Sequence, residues 1–187
     1  MSRIIWRCGM VAKIIQTARA YITRQGYFCD MPVPTDSTSS FPKLALPAAD
    51  LKLRTRGSHT EVQCLSRGNY VRLEPEEWVR QHWLSYLHHQ LGYPIGVMAA
   101  EYPLLLNGMK RRADIVCHDH NGTPLVMIEC KRPAIKLNQA ALDQVLRYNI
   151  SLQIPCLIVS NGMKHHAYGW KNDQLEPLDH VPPYSAF

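Results

Sequence analysis

Hydrophobic and polar positions follow two different periods along this chain. Residues 75–91 and 138–150 carry apolar side chains at helical spacing. Residues 97–106, 113–117, 125–130 and 156–160 are short, dense apolar runs rich in Val, Ile and Leu. Pro75 suits a first helical turn, Glu76 and Glu77 suit its positive end, and Gly92 closes it, with Val79, Trp83, Tyr86, Leu87 and Leu91 as the buried stripe. Trp78, Trp83 and Tyr86 read as core or partner-packing aromatics. Asn138 suits the cap of the second helix. The wholly apolar Cys156 to Ser160 run is typical of a strand covered on both faces. Residues 164–170 alternate weakly and predict a further strand, with Asn172-Asp173 as a turn and an extended end at residues 181–184.

The centre of the pattern is a hairpin. Two apolar runs flank Asp119-His120-Asn121-Gly122, and the Asn-Gly pair is a strong turn signal. Centring the turn there predicts an antiparallel register in which Asp114 falls opposite Glu129. Lys131, two residues beyond Glu129, shares its strand face. A second Asn-Gly pair, Asn107-Gly108, joins the residue 97–106 strand to the Asp114 strand. The predicted order is helix, three antiparallel strands, helix, strand, strand. That order gives an α/β fold, more strictly an α+β mixed sheet with helices packed against it. No internal repeat is visible.

Before this core, residues 44–73 alternate in short stretches broken by turns and predict a small β element. Residues 31–43, rich in Pro, Ser and Thr, read as a leader or linker. Residues 1–30 are a basic extension compatible with an amphipathic helix. The favoured expectation is that Met31 is the natural start and that the extension is not native. The chain thus divides into 1–30, 31–43, 44–73 and a main domain at 74–187.

Composition narrows the function classes. The chain has 187 residues, 46% of them hydrophobic, enough for one globular domain with appendages. No run approaches the roughly 20 apolar residues of a transmembrane helix. Six cysteines without a C-x-x-C pair favour reduced thiols and a cytoplasmic location over a disulfide framework or zinc site. The net charge is +6, but Arg3, Arg7, Lys13, Arg19 and Arg24 against Asp30 alone supply most of it. The pI is therefore weak evidence for nucleic-acid binding by the folded part. No P-loop is present, so no ATP motor is expected. His88-His89, His118-x-His120 and His165-His166 lack ligand partners at suitable spacing and read as surface histidines.

Two carboxylates beside buried apolar strands are costly unless compensated, and a divalent cation compensates them simply. Paired oxygen ligands suit Mg²⁺, with Mn²⁺ as a substitute. Lys131 is placed to orient water or to stabilise charge on a phosphoryl transition state. Gln144 and Tyr148, four apart, share one face of the second helix. Arg111, Arg112, Arg132 and Arg147, with Lys136, form a cationic rim suited to phosphates.

The ordered stretches Leu73-Glu74-Pro75-Glu76-Glu77-Trp78-Val79-Arg80-Gln81-His82, Leu91-Gly92-Tyr93-Pro94, Arg111-Arg112-Ala113-Asp114-Ile115-Val116, Glu129-Cys130-Lys131-Arg132-Pro133, Gln144-Val145-Leu146-Arg147-Tyr148-Asn149 and Ser160-Asn161-Gly162 carry a resemblance. Over about residues 44–187 the chain resembles the N-terminal domain of type I restriction enzyme R subunits, in a small stand-alone form, within the PD-(D/E)XK nuclease superfamily. The resemblance implies that Asp114 and Glu129 ligate metal and that Lys131 is the catalytic lysine. It also implies that Gln144 and Tyr148 form the Q-x-x-x-Y motif, and that Glu77, or less favourably Glu76, completes the metal site. Ala113 stands where the motif has proline. The resemblance extends neither to the helicase of the R subunit nor to a target-recognition region, and neither is expected in this sequence.

Two functions follow as expectations. The first is a Mg²⁺-dependent DNA endonuclease. The second is a catalytically silent nucleic-acid-binding or protein-assembly module of the same fold, partnered by another protein or by a second copy. The intact Asp114, Glu129 and Lys131 set favours the first, since paired carboxylates repel phosphate and serve no pure binding module.

Overall fold

Pro75 fixes the first turn of α1 (Pro75–His89), with Glu76 and Glu77 following at the helix's positive end. Val79, Trp83, Leu84 and Leu87 form its buried stripe. The structure, a computed structural model, describes residues 41–106, 108–171 and 174–187, without the side chains of residues 150 and 151. The expected basic extension, most of the Pro/Ser-rich leader, Asn107 and the turn at Asn172-Asp173 lie outside the described residues.

The main sheet has six strands in the order β4-β5-β6-β7-β8-β9. These are β4 (Met98–Leu106), β5 (Met109–His118), β6 (Pro124–Cys130), β7 (Cys156–Ser160), β8 (His165–Lys171) and β9 (Gln174–Pro177). All neighbours run antiparallel except β6 and β7, which are parallel. A parallel pair needs a crossover, and α2 (Gln139–Leu152) supplies it. Asn138 caps α2 by accepting from Ala141 N at 3.3 Å. The fold is thus α/β with a mixed sheet and two helices. β9 is an addition that the sequence pattern does not announce, because Gln174–Pro177 is short, polar and ends in proline.

The two helices cover opposite faces of the sheet. Ile115, Cys117, Ile128 and Ile158 pack with the α1 stripe in one core. Val116, Met127, Leu157 and Val159 pack with Ala141, Leu142, Val145 and Tyr148 of α2 in the other. Covering both faces explains the continuous apolar run of β7, every residue of which is buried.

A second, three-stranded antiparallel sheet, β1 (Leu53–Arg56), β2 (His59–Gln63) and β3 (Tyr70–Arg72), precedes α1. Gln81 of α1 accepts from Leu65 N at 3.1 Å and ties the stretch after β2 to the helix. Upstream, Phe41 stacks on Trp78 at 5.4 Å, and Trp78 Nε1 donates to Pro42 O at 3.1 Å. The end of the expected leader therefore docks on α1. Leu44 is buried against Gly162, whose φ of +79° and lack of a side chain are both required there. A Cβ at Gly162 would stand 2.7 Å from Leu44 Cδ2.

The β4–β5 pair turns over at one point. Ala100 and Ile115 pair on the α1 side, whereas the next non-adjacent pair, Tyr102 and Ala113, lies on the α2 side. Between them Glu101 adopts φ +52°, a left-handed conformation costing about 1–2 kcal/mol for a residue with a Cβ. Arg67 pairs with the Glu101 carboxylate, and Arg112 approaches it at 3.5 Å. These tertiary contacts hold the strained residue.

Candidate active site at the parting of two strands

β5 and β6 keep the expected register over Ile115–Ile128, Val116–Met127 and Cys117–Val126, with a bulge towards the turn at Cys117/His118. The pairing stops at Ile115. Beyond it β6 stays with β7, pairing Glu129 with Val159 and Cys130 with Ser160, while β5 continues with β4. Asp114 fills the resulting gap. Its Oδ2 accepts from Cys130 N at 2.7 Å, in place of a ladder bond. The predicted Asp114–Glu129 opposition thus becomes a charged opening at the end of the sheet.

Each carboxylate in the gap has its own cation. On the α1 side, Arg80 Nη2 donates to Asp114 Oδ1 at 2.6 Å, and Arg80 also pairs with Glu77. The Arg80 side chain is only 8% exposed. Burial alone would weaken its charge, but Asp114 and Glu77 together raise its pKa further. On the α2 side, Lys131 Nζ donates to Glu129 Oε1 at 2.6 Å and to Gln144 Oε1 at 3.1 Å. Gln144 Nε2 donates to Glu129 Oε1 at 2.5 Å and to the Tyr148 hydroxyl at 3.2 Å. Burial disfavours the Lys131 ammonium, but its hydrogen bond and attraction to Glu129 outweigh that and raise its pKa.

The structure therefore brings Asp114, Glu129, Lys131, Gln144 and Tyr148 together. Tyr148 is buried and acts on Gln144. Glu77 is placed differently from the expectation drawn from the resemblance. It is buried against Arg80, Gln81 and the edge of Arg67, with Gln81 Nε2 donating at 2.7 Å. Glu76 is the first-turn carboxylate that feels Asp114 and Lys131, and burial followed by Asp114 raises its pKa. Helix geometry separates the two roles, since adjacent positions point about 100° apart.

Four carboxylates (Glu76, Glu77, Asp114, Glu129) thus meet three cations, Arg80, Lys131 and, at the edge of Glu77, Arg67, and the cluster is net negative. Burial, then Asp114, pushes Glu129 up to about 7, against the opposing pull of Lys131. All the donors on offer are hard oxygens, and the net charge among them is negative. In kind and in charge the residues fit Mg²⁺ or Mn²⁺. Among the described residues, no three His, Cys, Asp or Glu side chains form a ready-made metal cage, because Arg80 and Lys131 already engage Asp114 and Glu129.

The rim residues Arg111, Arg112, Arg132 and Arg147 are all exposed. Arg112 alternates with Asp114 on β5, whereas Arg111 shares the opposite face with Ala113. His165, expected at the surface, is instead half-buried beside the α1 core. It stands edge-on to Trp83, its Nδ1 meets Ser160 Oγ at 2.7 Å, and burial pulls it down to about 4. Arg80 is the residue of this cluster that sequence reasoning passed over. Its signal was the i+3 and i+4 spacing from Glu77 and Glu76.

Fold and site together define a mixed α/β domain with a charged cluster where two central strands part. Residues 75–182 match the family model for the type I restriction enzyme R protein N terminus. The match covers more than half of the chain, and the chain belongs to this family. Among curated proteins, none matches it. No helix among the described residues is long and apolar enough to cross a membrane.

Proposed function

We propose that this protein is a Mg²⁺-dependent endonuclease that hydrolyses phosphodiester bonds in DNA, as expected of the PD-(D/E)XK superfamily. The observation that carries the reading is the grouping of Asp114 and Glu129 with Lys131 where β5 and β6 part. Asp114 and Glu129 would hold the ion, with Glu76 completing the set in preference to Glu77. When bound, the ion supplies Lewis acidity towards water and phosphate oxygen. Lys131, fixed by Glu129 and Gln144, presents an ammonium for the charge that builds on the phosphoryl group and orients the attacking water. Gln144 keeps Lys131 and Glu129 in register, and Tyr148 keeps Gln144. Arg112, Arg132 and Arg147 attract and position the DNA backbone.

The test is plasmid cleavage with Mg²⁺ by the full chain, beside Asp114→Ala and Lys131→Ala. Cleavage by the wild type alone supports the reading, and equal activity in all three sinks it. One observation favours the alternative of a catalytically silent module: Arg80 and Lys131 already neutralise the two central carboxylates. That alternative predicts DNA or protein binding that survives Asp114→Ala and ignores metal.

A further inference from the structure

Past Asp114, β5 has no partner but β4. The segment from Met109 to Ala113 pairs with Leu106 to Tyr102, and β6 has already turned away with β7. This two-stranded ribbon runs roughly 17 Å beyond the site, at about 3.4 Å per residue. One of its faces lies on α2 through Tyr102, Leu104 and Ala113. The other face is open. It carries Lys110 paired with Leu105, and Arg112 paired with Pro103. Leu105 is 64% exposed and Arg112 is 69% exposed.

The turn-over at Glu101 gives this open face its meaning. Lys110, Arg112 and Asp114, each two apart, share one side of β5, and because the ribbon reverses its faces at Glu101 that side is turned away from α2. Asp114 looks towards Arg80 of α1, so the cationic side of the ribbon leads straight to the proposed site. Without the reversal those two cations would lie against α2. No acidic residue occurs between Glu101 and Asp114.

We propose that the open face of the β4–β5 ribbon is a docking surface for double-stranded DNA that delivers the backbone to Asp114. The proposal rests on the nuclease reading and adds the form of the substrate. Three observations favour a duplex. A two-stranded ribbon is the shape that the roughly 12 Å major groove of B-DNA admits. Lys110 and Arg112 supply charge for phosphates, and Arg112 needs only to exchange a 3.5 Å contact with Glu101 for one. Single strands are gripped by aromatic platforms, and the ribbon's aromatic ring, Tyr102, is on the other face, tilted against His118.

The experiment measures binding of a labelled short duplex, and of one of its strands alone, by the full chain in EDTA across a salt series. Lys110→Ala/Arg112→Ala should weaken duplex binding about tenfold or more and lower the salt slope by about two. Arg111→Ala, on the opposite face, should change it less than twofold. Melting temperatures of both variants should match the wild type, since these side chains are exposed; Lys110→Gln and Arg112→Gln, taken singly, should each remove about one unit of slope. Unchanged duplex binding in the double variant, with plasmid still cut by the wild type, overturns the docking surface and leaves the nuclease reading standing. An equal loss in Arg111→Ala, or an equal loss of single-strand binding in the double variant, also overturns it. A wild type that neither binds DNA nor cuts plasmid overturns the DNA reading itself.

Discussion

Asp114 and Glu129 open onto the same gap, yet they are held by different kinds of cation. Arg80 reaches Asp114 from a buried helix position and is shared with Glu77. Lys131 lies just past the end of β6, two residues after Glu129, and its side chain is 22% exposed. A guanidinium stays charged at any working pH and holds a fixed fork, while an ammonium on a flexible stem can shift partners. On the proposed nuclease reading, the difference separates the residue that builds the site from the residue that would work in it. Arg80 holds Asp114 in place, and Lys131 stays nearer to solvent.

The largest expected effects divide along that line. Arg80→Ala strands two buried carboxylates and should cost about 3–5 kcal/mol of stability, read by denaturant unfolding. Lys131→Ala removes one ion pair, which Glu129 can partly offset by taking up a proton, so it should cost less stability than Arg80→Ala, while lowering the cleavage rate by about 10²- to 10⁴-fold. If Arg80→Ala melts like the wild type, or Lys131→Ala unfolds, the division is wrong.

Next in size is the pH dependence around Glu129. Its folded pKa of about 7 lies above its unfolded value, so the metal-free native state binds more protons than the unfolded chain between about 4.5 and 7. The Glu129 contribution to stability is therefore greatest below that window and is lost as pH rises through it. Mg²⁺ should restore it, so the gain in melting temperature from added Mg²⁺ should grow from pH 5 to pH 8. A gain independent of pH, or one that persists unchanged in Glu129→Gln, would contradict this role for Glu129.

The two neighbours on α1 sharpen the comparison further. Glu76→Gln should weaken Mg²⁺ binding about tenfold with little change in stability. Glu77→Gln should mainly destabilise, because it removes a partner of Arg80 and Gln81. The reverse pattern would return Glu77 to the metal site. The smallest effect belongs to Tyr148→Phe, which deletes one hydrogen-bond partner of Gln144 and should slow cleavage by up to about fivefold, in line with roughly 1 kcal/mol for one bond.

Much of the fold and of the site is legible in the sequence, for local reasons. The Asn121-Gly122 turn and the apolar runs set the hairpin register, and Ile115 does stand opposite Ile128. Asn138 caps α2 by its own side chain, another short-range interaction. What stays hidden is tertiary. No residue near Asp114 announces that β6 leaves β5 to follow β7. A glutamate at φ +52° contradicts local preference and survives because Arg67, distant in sequence, holds its carboxylate. Arg80 looks like one more solvated helix cation until the sheet brings Asp114 to it. β9 escapes notice because its pairing with β8 defines it more than its composition does.

Everything proposed for Lys131 and its neighbours depends on the gap being a divalent-cation site. Calorimetric titration of the full chain with Mg²⁺ tests that most directly. The prediction is saturable binding in the wild type and its loss in both Asp114→Asn and Glu129→Gln, with each variant still folded by circular dichroism. No binding heat in the wild type, or the same affinity in both variants, would contradict it.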